Sequence, residues 1–390
     1  MSSNRGDMLR VLQIVIAPQV QRSGQPIGVT GPERRAANLA PYWREYGIEP
    51  IVCYPQRGNL RGHFVGAGLK VIDFEIGNKL NLSAIRRIAT LALEHSVQLI
   101  HTQGPASLDM LACFGGLYAG IPVIITRPVM IEDQITYSPP RRRLYSLIDR
   151  ATTLRLVRRV IAVSHRGYQH LHDYCRLEER RLQRIYNGIN LRRFEIRQHN
   201  ENRGESNGPP LVIGMVAQLF APKGWPDFIK AIARLRDQGD NVLGLIVGEG
   251  ELRDALEADV ANRGLHANIE FTGFREDMAK IYQRMDFLLF TTHREGLSVA
   301  VIEALASGLP IVATDVGGIR EQVEEGRNGH IVQVGDLDLI VQHCTRLIRD
   351  PARRAAMGLA SRTIAEERFS ERRMLEEYVT CYQQTASGIS

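Results

Sequence analysis

Two glutamates and a lysine, on glycine-bearing loops or the helix that follows one, are the residues of this chain whose types and spacing best suit chemistry. Glu295 and Glu303 stand eight positions apart in the segment FTTHREGLSVAVIEALASGLPIVATDVGG, 290–318. Its pattern predicts a buried strand ending near Thr292, a loop from His293 to Ser298 and a helix over Val299–Ala306. Ser298 is the expected N-cap, and Gly308 and Pro310 stop the helix. A helix N-terminus offers free N–H groups and about half a positive charge. A diphosphate could bind there, with the backbone of Gly296, Leu297 and Ser298 approaching it closely. A carboxylate only accepts hydrogen bonds, which suits it to paired hydroxyls. Two carboxylates flanking an anion site therefore suit a ligand with hydroxyls at both ends and phosphates between, the shape of a nucleotide-sugar.

The lysine lies in MVAQLFAPKG, 215–224, where a strand runs into a loop ending Lys223-Gly224 before a helix near Trp225. An ammonium there can sit on a phosphate. Gly248 and Gly250 form a GEG turn after another apolar strand. This is no dinucleotide fingerprint, because Arg253 occupies the place of the third glycine. In the N-terminal half, GQPIGVTGPE, 24–33, is a glycine-bearing loop after the first strand.

The elements that must position these residues follow from the alternation of short apolar runs with amphipathic stretches. Runs at 9–17, 50–54, 69–74, 97–102, 122–127, 159–164 and 183–187 read as strands, with helical patterns such as 33–46 and 81–95 between them. Residues 195–210 (EIRQHNENRGESNGPP) lack periodicity and read as a linker. A second series follows, with strands at 211–217, 241–248, 268–273, 286–292, 309–315 and 329–334, and a last amphipathic helix over about 370–386. Strand–helix alternation argues for parallel sheets. The fold class is α/β, with two doubly wound domains whose ligands sit beyond the carboxyl ends of the strands. The expected division is 1–194, the linker 195–210, 211–368, and a terminal helix 369–390.

The spacing Glu295-x7-Glu303, in the setting EGLSVAVIEALASGLPIVATDVGG, resembles the signature of retaining glycosyltransferase family 4. The resemblance implies the GT-B fold, two Rossmann-like domains facing an interdomain cleft, with the N-terminal one on the acceptor side and the terminal helix crossing back to it. It implies that Glu295 contacts the transferred sugar, that Glu303 binds the ribose, and that the amides of Gly296, Leu297 and Ser298 meet sugar and phosphate. Lys223 matches the family's lysine. Gln218 stands where the family usually has arginine and brings no charge. Gly248 and Gly250 resemble the turn beside the nucleotide, and Gly31 and Glu33 match the N-terminal glycine loop. Arg127 ends PVIITR near the place where many relatives carry a histidine, either facing the reacting sugar or held in a structural salt bridge.

Composition excludes some classes. The chain has 390 residues, 44% hydrophobic and 24% charged, and a net charge of +6, ordinary for a globular protein that handles anions. Its five scattered cysteines form no metal or disulfide pattern. No apolar run reaches the ~18 residues of a membrane span, and Met1 to Arg10 has no apolar leader core, so a cytoplasmic enzyme is expected. Asp336-Leu337-Asp338 is formally DxD, but opens a helix, where acids suit the dipole. No metal site and no cofactor are expected. The stretch 141–166 holds eight arginines, with Leu144, Leu147, Ile148, Ala151, Leu154 and Val157 at helical spacing. It reads as a helix packing its apolar side on the sheet, or as a peripheral contact with anionic membrane over 141–159. The expected activity is transfer of a sugar from a UDP-, GDP- or ADP-sugar to a glycan or lipid-linked acceptor, as in cell-envelope or exopolysaccharide assembly. The rivals are an epimerase on the same fold and a non-catalytic nucleotide- or nucleic-acid-binding protein. The latter is disfavoured because the basic stretch has few aromatics for stacking.

Overall fold

The computed structural model of the chain describes residues 8–15, 31–75, 81–128, 138–196 and 208–388. Most of the glycine loop 24–33 and of the linker 195–210 lies outside them. The chain divides into two compact units, one of Met1–Asn187 with Glu371–Ser390, the other of Gly188–Ser370.

In unit 1 the strands are β1 (Leu9–Val15), β2 (Ile48–Tyr54), β3 (Lys70–Asp73), β4 (Leu99–Gln103), β5 (Val123–Arg127), β6 (Arg159–Ala162) and β7 (Leu182–Arg184). They form one parallel sheet in the order β3-β2-β1-β4-β5-β6-β7, with Val11 level with Leu99 across β1 and β4. Strands such as β4 and β5 are buried along their whole length, as parallel strands covered on both faces must be. Helix Leu82–Glu94, capped by the Asn81 side chain on Ser83 N, packs one side of the core. On the other side lies helix Glu371–Ala386, with Trp43 stacked on Tyr382 at 5.3 Å between ring centroids.

Unit 2 holds β8 (Leu211–Val216), β9 (Val242–Val247), β10 (Ile269–Gly273), β11 (Phe287–Phe290), β12 (Ile311–Thr314) and β13 (Gly329–Val332). Their order is β10-β9-β8-β11-β12-β13, all parallel. Residues 188–196 belong to this unit: Ile189 bridges to Ser370, and Arg362 Nη1 donates to the carbonyls of Phe194 and Ala306. Two doubly wound α/β sheets are therefore present. No helix among the described residues is long and apolar enough to cross a membrane.

One expectation fails in part. Residues Pro139–Ala151 are helical, but the apolar side of this helix does not pack on the sheet; of the apolar series, Leu154 and Val157, which follow the helix, enter the core. Leu144, Leu147 and Ile148 are exposed, while Ser146 and Asp149 are buried. The cause is Asp149, which an ion pair with Arg127 draws inward.

Candidate active site

The strand order of unit 2 reverses between β8 and β11. At such a switch point the loops leaving the two strands diverge and leave a crevice at the carboxyl edge of the sheet. The loop after β8 carries Gln218 and Lys223; the loop after β11 carries Glu295. Backbone contacts stitch them together. His293 N donates to Pro222 O at 2.9 Å, and Thr291 Oγ1 to Gly224 O at 2.9 Å. Gly224 has φ +68, and a Cβ there would stand 1.9 Å from Thr291 O, so only glycine permits the approach. The result is a contact across 72 residues of sequence: Lys223 Nζ lies 2.8 Å from Glu295 Oε2. Both side chains are partly exposed, Lys223 at 24% and Glu295 at 18%, so solutes can reach the pair.

The second Glu295 oxygen accepts from Gly296 N at 3.1 Å. Behind it lies the loop after β12. Gly317, with φ +53, abuts the Glu295 carbonyl so closely that a Cβ would sit at 1.9 Å, and Gly318 N donates to Gly296 O at 2.6 Å. Helix Val299–Ala306 begins as expected, with Ser298 Oγ accepting from Val301 N at 3.3 Å. Buried Gln322 clamps Ser298 from both sides: Ser298 N donates to its Oε1 at 3.2 Å, and its Nε2 donates to Ser298 O at 2.7 Å. Leu297 turns its side chain into the core. Glu303 is also buried, with Oε2 3.1 Å from the Tyr282 hydroxyl, which lies 2.9 Å from Ala300 O.

The GEG turn closes the other flank. A Cβ on Gly248 would stand 2.0 Å from Ala217 O, and one on Gly250 2.6 Å from Leu219 O, while Leu219 N donates to Glu249 O at 2.9 Å. Trp225 Nε1 donates to Gln218 O at 3.0 Å and fixes the loop before the lysine. Thus Lys223, Glu295, Gly296, Leu297, Ser298 and Glu303 are held on adjoining loops and one helix, and Gln218, Gly248 and Gly250 line the neighbouring turn. Tyr282, Gln322 and Gly317 support the site and were not singled out from sequence. The Gly-Gly pair at 317–318 was the one available signal.

Arg127 and Gly31 lie in unit 1. Arg127 ends β5 and is buried. Its Nη2 and Nη1 donate to the Asp149 carboxylate at 2.8 and 3.1 Å, and its Nε is 3.0 Å from Asp109 Oδ2. Burial opposes its charge, yet the two carboxylates hold its pKa above the ordinary value. Burial pushes Asp109 up to about 7, against the pull of Arg127 and of the Thr102 hydroxyl. This geometry is that of a structural ion pair. Gly31 is exposed at the start of helix Gly31–Leu39, with nothing within 4 Å of a Cβ placed on it. Glu33 is buried and accepts from the Tyr54 hydroxyl at 2.5 Å.

Elsewhere, Asp336 caps helix Leu337–Arg349 through Leu339 N at 3.0 Å, and Asp338 pairs with Arg234 at 2.6 Å. Among the described residues, Glu325, His330 and His343 bring donor atoms within 4.8 Å of one another. They sit on β13, on the turn before it and on helix Leu337–Arg349, not on the loops of the Lys223–Glu295 pair.

Comparison with known proteins agrees with this architecture. The family model "Glycosyl transferases group 1" matches residues 196–363, and "Glycosyltransferase Family 4" matches 29–193. Anabaena HepE, solved with UDP, superposes with a TM-score of 0.79 at 19% identity, covering 96% of this chain and 100% of that one. The N-acetyl-alpha-D-glucosaminyl L-malate synthase of Bacillus anthracis is 26% identical over 226 residues, 57% of this chain and 58% of the relative. The capsular polysaccharide glycosyltransferase CapM of Staphylococcus aureus is 29% identical over 199 residues, 50% and 52%. The chain thus matches little more than half the length of these curated relatives. Two Rossmann-like parallel-sheet units define the class as GT-B. Within it, the chain is similar to family 4-type glycosyltransferases, its first half matching the Family 4 model and its second the group 1 model.

Proposed function

We propose that this chain is a retaining, metal-independent hexosyltransferase that moves a sugar from a nucleoside diphosphate sugar to a glycan or lipid-linked acceptor. The cytoplasm is the proposed location, and cell-envelope or exopolysaccharide assembly the proposed setting, the latter supported by the name of CapM. The single observation that carries the reading is the Lys223–Glu295 pair at the switch point of unit 2, beside the N-terminus of helix Val299–Ala306.

A donor would exchange part of that pairing for its diphosphate. The Lys223 ammonium and the Gly296–Ser298 amides, exchanging their Glu295 and Gln322 partners for phosphate oxygens, would then neutralise charge as the nucleoside diphosphate departs, stabilisation of a kind that needs no metal. Glu295 would grip hydroxyls of the transferred sugar, and Glu303, held by Tyr282, those of the ribose. UDP-sugars come first among the donors, because HepE was solved with UDP-glucose at a TM-score of 0.78. The bond breaks through an oxocarbenium-like state, and an acceptor hydroxyl attacks from the face the leaving phosphate vacates, giving its proton to that phosphate. Arg127 is assigned to structure rather than to chemistry.

The test is titration with UDP, GDP and ADP, followed by transfer assays with the matching sugars and NMR of the product anomer. Saturable binding of one nucleoside diphosphate and a retained anomer are expected. Absence of binding, an inverted product, or an epimerised donor sugar overturns the proposal.

A further inference from the structure

Helix Pro139–Ala151 buries its polar side and shows its apolar side to solvent. Leu144, Leu147, Ile148 and Ala151 fall at i, i+3, i+4 and i+7, one stripe of a helix with 3.6 residues per turn. Leu144 is 55% exposed, Leu147 61% and Ile148 41%, and Ala151 is exposed too. On the opposite side Ser146 is 5% and Asp149 7% exposed. A helix whose purpose was to cover the sheet would be rolled by half a turn. It cannot roll, because Arg127 binds both Asp149 oxygens and is itself paired with Asp109. Turning the leucines inward would strand a buried guanidinium and a carboxylate, leaving buried charge uncompensated.

Charge identifies what the stripe faces. Exposed Arg143 and half-buried Arg150 flank one side of it, and exposed Arg141 the other. No acid lies on this helix outside the buried Asp149. Just beyond it, Arg155 and Arg158 are exposed, as is Leu156 at 38%. Two copies of this chain meeting here would bring arginine rims together. A surface of anionic lipid headgroups instead meets the rims with opposite charge and the stripe with acyl chain. The arginine stems can lie along apolar surface while their heads reach the phosphates.

We propose that helix Pro139–Ala151 is an interfacial docking element for an anionic phospholipid bilayer, locked apolar side outward by the Asp109–Arg127–Asp149 ion cluster. The full chain should float with vesicles containing phosphatidylglycerol and bind vesicles of phosphatidylcholine alone at least about tenfold more weakly, with binding lost as salt rises. Leu147→Glu and Leu144→Glu change exposed positions, so circular dichroism and Tm should stay at wild-type values. Each should lower partitioning by about tenfold or more. Arg143→Glu should weaken binding chiefly at low salt. The proposal is overturned if wild type binds neither vesicle, if both vesicles bind equally, or if Leu147→Glu partitions as wild type. It is equally overturned if sedimentation shows a dimer that Leu147→Glu dissociates while vesicle binding persists, which would make the stripe a self-association face.

Discussion

Lys223 and Glu295 satisfy each other at 2.8 Å, so removing either leaves its partner without that charge, and the two losses are read out differently. Lys223→Ala should lower transfer by about 10²–10³ while the fold stays intact, since its ammonium matters most as charge builds on the leaving diphosphate. A rate within about twofold of wild type would remove Lys223 from the proposed site. The glutamates divide the donor. Glu303→Ala should weaken free nucleoside diphosphate roughly 10- to 100-fold, the worth of a hydrogen bond to a charged group at about 1.5–3 kcal/mol. Glu295→Ala should leave that affinity nearly unchanged and act on transfer rate and on discrimination between donor sugars. Calorimetric titration of both variants checks this; the opposite pattern means the donor lies the other way round. The three residues were legible in sequence because each sits in a strand–loop–helix context with glycines. Gln322 and Tyr282 were not, since their partners Ser298 and Glu303 lie 24 and 21 positions away and no local pattern reports such a meeting.

At the scale of elements, buried parallel strands were the easiest to read, because strands covered on both faces are written as continuous apolar runs. The two readings of helix Pro139–Ala151 stay open in sequence because periodicity shows that a helix has an apolar side but not where it points; the ion pair of Asp149 decides that. Two element contacts carry predictions. Gly317→Ala would force a Cβ to within 1.9 Å of the Glu295 carbonyl, in a left-handed backbone. The loop bearing Glu295 must shift, and transfer should fall on the order of 10²-fold, with unit 2 still folded by circular dichroism. In unit 1, His101 joins β4 to helix Glu371–Ala386: the Tyr382 hydroxyl is 2.6 Å from its Nδ1, and its Nε2 is 2.8 Å from Thr126 Oγ1. Burial, with Arg35 adding to it, lowers its pKa from 6.5 to about 3. Below pH 6.5 the unfolded chain takes up a proton that the folded chain refuses, so stability is complete above 6.5 and is lost as pH falls toward 3. The loss at pH 5 should be on the order of 2 kcal/mol. Urea midpoints across pH should show it, and His101→Gln should flatten that slope.

For the whole molecule, the sequence displayed two α/β series and a basic excess, but not that residues 188–196 would fold with the second unit, an assignment made by Arg362 reaching back to their carbonyls. The net charge of +6 suits a protein that meets anions at more than one place, and it bears on whether a metal is required. A divalent ion in sugar transfer serves to neutralise the departing diphosphate. In the proposed reading, Lys223 and the amides of helix Val299–Ala306 would do the same. The acids of the DxD sequence are otherwise engaged, Asp336 as a helix cap and Asp338 with Arg234. Transfer measured in EDTA should therefore stay within about twofold of the rate in Mg²⁺ or Mn²⁺. The Glu325, His330 and His343 group gives the test a second reading. Those side chains hold β13 against helix Leu337–Arg349, with the two imidazoles stacked at 4.0 Å between centroids. An ion bound there would alter Tm on chelation while leaving the rate alone. Strict dependence of the rate on Mg²⁺ or Mn²⁺ would instead show that Lys223 and the helix amides are insufficient for the leaving group, and would return Asp336 and Asp338 to consideration as ligands.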